Sequence, residues 1–160
     1  MTFASLSFRP ALLTAAALLV VALAACSPGG TTIGLPQGLT ATIDRPGAQM
    51  DRAAALNILN QYRATRGAQP LAGDATLDAQ AQAVAQAYAS SGTPPATPEG
   101  VTVMRLSAGY LNFAETFSGW RSSPPDADAL AAPSARRAGL AVVYDPNSAY
   151  GAHWVVLLAS

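Results

Sequence analysis

Glu115, Asp126, Asp128 and His153 are the side chains whose types and settings could do acid–base or metal chemistry in this chain of 160 residues. The two aspartates stand in "GWRSSPPDADAL", after Trp120 and the pair Pro124-Pro125. A Trp-led helix stopped by prolines and followed by carboxylates suits the wall of a catalytic or metal-binding cleft. His153 is the only imidazole, and zinc accepts imidazole and carboxylate ligands together. The same groups, converging on one pocket, could move protons in a hydrolysis. Each also has a structural description. Aspartates after Pro-Pro cap the next short helix or face water. Glu115 stands three residues after Asn112, the spacing of a capping box. His153 lies beside Trp154 in an apolar run, where a packed, hydrogen-bonded ring is the commoner outcome. The structural descriptions outweigh the chemical ones, because nothing in the spacing demands a metal. There is no Gly-x-Ser-x-Gly elbow, no serine in a marked turn to serve as nucleophile, and no glycine-rich phosphate loop with its lysine.

Cys26 is the only thiol, so an intramolecular disulfide framework and a Cys-cluster zinc site are excluded. Its context gives it a different role. Arg9 precedes the apolar run Ala11–Ala25, which is shorter than the ~20 residues of a membrane span and reads as a signal segment. "LAAC", Leu23–Cys26, matches the bacterial lipobox, in which the thiol is lipidated and the chain is cut before it. Residues 1–25 are therefore expected to be a lipoprotein signal peptide. Residues 26–48 read as the lipidated cysteine and a flexible Gly/Pro/Ser/Thr tether, and residues 49–160 as one domain. Acyl chains add ~0.8 kcal/mol per buried methylene, enough for a stable anchor when several act together. Ser27 after the cysteine favours the outer membrane of a Gram-negative envelope, facing the periplasm. The nine basic residues, all arginine, balance nine acidic ones without a basic block, so nucleic acid is not an expected partner.

The elements that must position these groups follow from periodicity. Ala55, Leu56, Leu59 and Tyr62 share one face of a helix over Met50–Gly67. Asp74 caps a second helix whose stripe is Leu77, Ala81, Val84, Ala85 and Tyr88, ended by Gly92. "VTVMRL", Val101–Leu106, alternates as a short strand. Asn112 opens a third helix with Phe113, Phe117 and Trp120 on one face, and Pro124 and Pro125 end it or begin a short further turn. "AGLAVVYD" and "AHWVVLLAS" form a terminal hairpin across "PNSAYG". Both faces of that hairpin are apolar and need covering. The expectation is an α+β fold, an α–β–α sandwich of about three helices and a small antiparallel sheet.

Taken together these residues resemble the CAP superfamily, the cysteine-rich secretory, antigen 5 and pathogenesis-related proteins and their bacterial SCP-like relatives. "LNILNQYRATRGAQPLAGDATLDAQAQAVAQAYA" is similar to the family's opening helix pair, with Asn60 and Arg63 three apart, then Gly, Pro-Leu, Asp and Leu. "FSGWRSSPPDADALAAPSARRAGLAVVYDPNSAYGAHWVVLLA" is similar to the bacterial closing pattern of Trp, Ser-Pro-Gly-His, Leu-Leu, Pro, an alternating Gly/Val strand and a terminal Trp strand. The resemblance runs from about Met50 to the C-terminus and implies the same sandwich. It also implies a cavity usually lined by two His and two Glu, which in some members hold a divalent metal. Here the family's Ser-Pro-Gly-His histidine falls on Asp126, and its Glu-Asn falls on Met104 and Arg105. "SSGTPPATPEGV" lacks the other histidine. Glu115 matches the remaining carboxylate, and His153 falls where an aromatic residue is usual.

The expectation is thus a lipid-anchored envelope protein with a degenerate CAP-like domain. It would be non-enzymatic, without cofactor or metal, and would bind an apolar molecule such as a lipid, or a partner protein. Its cavity residues would be Met104, Phe113, Glu115, Phe117, Trp120, Asp126 and His153. The alternative is a hydrolase or metal-dependent peptidase-like enzyme using Glu115, Asp126 and His153.

Overall fold

A computed structural model describes residues 34–160. Cys26, the signal segment and the first part of the tether lie outside the described residues. The described chain runs α1 (Gln37–Thr40), α2 (Arg52–Thr65), β1 (Ala72–Gly73), α3 (Ala75–Ser91), β2 (Val103–Ala108), α4 (Phe113–Ser122), α5 (Pro124–Leu130), β3 (Arg137–Tyr144) and β4 (Ala152–Ala159). The strands form one sheet in the order β1-β3-β4-β2. β2, β4 and β3 are antiparallel neighbours, and β1 adds two residues in parallel to the start of β3.

Alternation along the strands sends side chains to two cores. On one face Ala141, Val143, Val155 and Leu157 meet Ala81, Val84, Ala85 and Ala89 of α3. On the other, Leu140, Val142, Trp154, Val156 and Leu158 meet α1, α2, α4 and α5 through Leu39, Leu59, Phe113, Phe117, Trp120 and Leu130. β4 is buried along its whole length, as a strand covered on both faces must be. The layers are the expected α–β–α sandwich. The small stripe of α3 lets that helix sit close to the sheet, and Gly139 lets it sit closer still. A methyl group at Gly139 would run into the backbone of Leu77 and Asp78.

Local chemistry fixes the helix ends. Asp51 caps α2 by accepting from Ala54 N at 2.9 Å, and Asp74 caps α3 by accepting from Thr76 N and Leu77 N. Gly92 ends α3 in the left-handed region at φ 68°, where glycine is unstrained. Asn60 and Arg63, two of the residues carrying the family resemblance, prove to be fasteners. Asn60 gives and takes one hydrogen bond each with the backbone of Leu71. Arg63 is fully buried and donates to four carbonyls, of Gln69, Leu130, Ala132 and Ala135. That tie holds α2 to the connection between α5 and β3. Burial pulls the guanidinium below its usual pKa, and the nearby Arg136 adds to the effect.

Some expectations need correcting. Five helices occur among the described residues rather than about three. The prolines begin a true helix, α5, because they occupy first-turn positions whose N–H groups have no intrahelical partner. The span 26–48 is not all tether, since Leu39 and Ile43 are buried in the core and Ile43 N donates to Leu111 O at 2.7 Å. The sheet is mixed, because the two residues of β1 run parallel to β3.

Candidate functional site

The sheet decides where each expected site residue lies. In β2, Met104 and Leu106 pack toward α3, while Val103 packs toward the other core. Arg105 shares the parity of Val103 and so faces α4 and α5. There its Nε lies 2.8 Å from Asp126 Oδ1, and its Nη2 reaches Pro125 O at 3.4 Å. The Nε–H does not point along the contact, since that nitrogen makes no directed hydrogen bond; the pair is held by charge. Both side chains are about two-thirds covered, with 28% and 32% of their surface exposed. Asp128, two residues on, pairs at the surface with Arg66 at 2.6 Å. Each aspartate lies against an arginine.

Phe113, Phe117 and Trp120 form a packed core, not a cavity wall. The Phe113 and Phe117 rings stack at 5.9 Å, Tyr62 meets Phe117 edge-on at 5.8 Å, and Phe113 contacts Trp154 at 6.0 Å. Trp120 is 3% exposed and donates its indole N–H to Leu106 O at 3.1 Å. Met104 is separated from this set by the sheet, because neighbouring residues of a strand point to opposite faces. The expected apolar pocket of Met104 with the three aromatics therefore does not form.

Glu115 is exposed in the first turn of α4. Its backbone N–H donates to the Asn112 side chain at 2.9 Å, which is the forward half of the capping box. His153 is fully buried on the α3 face, edge-on to Tyr88 at 4.9 Å. Its Nδ1 lies 3.1 Å from Gly151 O, which can only accept, so Nδ1 carries the proton. Nε2 lies 3.2 Å from the Ser148 hydroxyl, which can donate to it or accept from it. Thus Asp126 and His153 lie on opposite sides of the sheet. Among the described residues no three His, Cys, Asp or Glu side chains come together as metal ligands. The convergence that the enzyme alternative requires is not there.

Sequence reasoning missed three features. The partner of Asp126 was visible as Arg105, the only charge in an apolar strand. Ser148 as the partner of His153 had no signal, because it depends on how the β3–β4 turn closes. The third is a recess of about 560 Å³ beside β3, lined by Pro46–Met50, Arg52, Gln82, Gln86 and Val142–Pro146. None of the expected site residues lines it.

The family model for the cysteine-rich secretory protein family, CAP, matches residues 56–158. The chain belongs to the CAP family. An outer surface protein from Borrelia burgdorferi is a structural neighbour, with a TM-score of 0.57, 18% identity, and coverage of 71% of this chain and 98% of that one. The protein MpPR-1i is similar, at a TM-score of 0.56 and 19% identity over 67% of this chain and 88% of its own. A cysteine-rich secretory protein from Staphylococcus aureus aligns at 0.52 and 14% identity, over 68% of this chain and 38% of the longer protein. These likenesses establish the CAP fold. No curated protein matches the chain. Within the CAP frame this member is cysteine-poor, its single cysteine being Cys26.

Proposed function

We propose that this CAP domain is a non-enzymatic binding module held at a bacterial envelope by lipid on Cys26. The observation that carries the reading is the Arg105–Asp126 ion pair. Asp126 stands where the family pattern implies a histidine, and Arg105 where it implies the Asn beside the family's Glu, whose own position is Met104; the pair joins two groups that neutralise each other. The Glu115 carboxylate is exposed at a helix start, away from the His153 ring, which is held in a buried turn. What the chain keeps is framework: Asn60, Arg63, Asp74, Trp120 and the terminal hairpin. A framework kept without its polar centre suits recognition better than turnover. The packed aromatic core leaves no apolar cavity among Phe113, Phe117 and Trp120, so a partner protein fits better than a lipid as the bound species. The lipobox supports anchoring through Cys26, and Ser27 after it favours the outer membrane, facing the periplasm.

The test is a panel of peptide and ester substrates given to the purified full-length chain in detergent, with and without added zinc. Turnover should stay at background and be the same in the variants Glu115→Gln, Asp126→Asn and His153→Ala. Turnover in the native chain that disappears in these variants would sink the non-enzymatic reading.

A further inference from the structure

β3 is an edge strand for most of its length. Asp145 N donates to Gly151 O across the hairpin, which sets the parity of the ladder. Residues 139, 141, 143 and 145 hydrogen-bond toward β4, and residues 138, 140, 142 and 144 face outward. β1 covers the outward groups only at Ala138, through Asp74 N to Ala138 O, and at Arg136, through Ala72 N to Arg136 O. Two side chains then stand in for a strand at Leu140. Asp78 Oδ1 accepts from Leu140 N, and Arg52 Nε donates to Leu140 O, both at 2.8 Å. At Val142 and Tyr144 this substitution stops. Among the described residues, nothing pairs with the outward N–H and C=O groups there.

These groups open into the recess described above. One wall is Pro46–Met50 and the other is α3, through Gln82 and Gln86. From Leu140 to Asp145 the edge spans roughly 17 Å at ~3.3 Å per residue, the length of a short extended peptide. The two ends offer different groups. At the Leu140 end stands Arg52, 46% exposed, whose Nε lies 3.7 Å from Asp78 Oδ1 while its Nη atoms have no partner among the described residues and point to a further acceptor. At the far end stands Asp145, with only Oδ1 engaged, by Asn147 N.

We propose that the free edge of β3 captures the C-terminal segment of a partner protein as an added strand antiparallel to β3. Its carboxylate meets Arg52 and a basic side chain upstream meets Asp145. Main-chain bonds to Val142 and Tyr144 supply the register, the usual physics of strand addition. The recess itself selects this occupant. A second copy of β3 carries the same walls and cannot enter. A lipid finds three glutamine amides and two charges, from Gln49, Gln82, Gln86, Arg52 and Asp145. This inference rests on the binding-module reading and names the class of partner.

The probe is the peptide Lys-Thr-Val-Thr-Val-Val with a free C-terminus, added to the full-length chain in detergent. Hydrogen exchange at the Val142 and Tyr144 amides should slow with peptide, and amidating the peptide's C-terminus should weaken binding about tenfold, the scale of one lost charge-assisted contact. N-methylation of the peptide amides that face β3 should abolish binding. Arg52→Gln should erase the difference between acid and amide peptides. Asp145→Asn, which leaves the Leu140 contacts alone, should weaken the lysine peptide but not one with norleucine in its place. No change in exchange, protection at these amides before peptide is added, or equal binding of the N-methylated peptide overturns the edge site. The hydrolysis panel tests the module reading separately. A failed edge site with background turnover removes only this inference.

Discussion

Arg63→Leu should cost this chain about 2–5 kcal/mol. The guanidinium donates to Gln69 O at 2.8 Å, Leu130 O at 2.7 Å, Ala132 O at 3.2 Å and Ala135 O at 3.3 Å, and it is fully buried. The bonds to Leu130 and Ala135 are themselves buried, and a stranded buried acceptor costs about 1–3 kcal/mol. Ala132 and Gln69 are nearer solvent and can be rescued by water. The two buried acceptors together cost about 2–6 kcal/mol, and the guanidinium desolvation that the leucine avoids, largely offset in the folded chain by its four carbonyl partners, trims the upper end of that range. The difference is a large fraction of the ~5–15 kcal/mol that holds a domain together. Urea unfolding reads it as a lower midpoint at unchanged slope. Arg63→Lys should fall between, because one ammonium cannot reach four carbonyls spread over a planar fork. A loss under about 1 kcal/mol in Arg63→Leu, or full recovery in Arg63→Lys, would refute the fastener role.

Other consequences follow from single contacts. Gly139→Ala should destabilise by about 3 kcal/mol, since the methyl meets the backbone of Leu77 and Asp78 rather than a movable side chain; thermal melting measures it. A double-mutant cycle of Arg105→Gln and Asp126→Asn should give a coupling of about 1 kcal/mol, because both groups keep part of their hydration. Asp74 is held below the usual carboxylate pKa by the N–H of Leu77 and then by Arg137. Its contribution is complete above the unfolded value of ~3.9 and is lost as pH falls through the lower folded value. Asp74→Asn should therefore flatten the stability curve below about pH 4, read by urea midpoints across that range. Cys26→Ser should move the chain from the membrane to the soluble fraction on cell fractionation.

Much of the fold was legible because its signals are local. The α3 cap and stripe, Asp74 with Leu77, Ala81, Val84 and Ala85, lie where periodicity puts them. So do the aromatic face of α4 and the two apolar strands of the hairpin. β1 was not legible, since two residues carry no period. The burial of Leu39 and Ile43 was hidden by a Gly/Pro-rich composition that looks like a linker from one residue to the next. The candidate site was legible only by subtraction. Asp126 could be placed at the position of an expected histidine, but the sheet face of Met104 and of His153 depends on strand register, which composition does not report. The recess at β3 depends on how soon β1 stops and on where two distant side chains, Arg52 and Asp78, meet Leu140.

If this CAP domain keeps the framework and not the chemistry, its one imidazole should be indifferent to metal. The decisive measurement is zinc titrated into the full-length chain, with the His153 ring nitrogens followed by NMR. The Nδ1–H bond to Gly151 O should persist, and neither nitrogen should shift with zinc. Stoichiometric zinc binding that moves the His153 nitrogens, and that Asp126→Asn abolishes, would restore a metal site and end the scaffold reading.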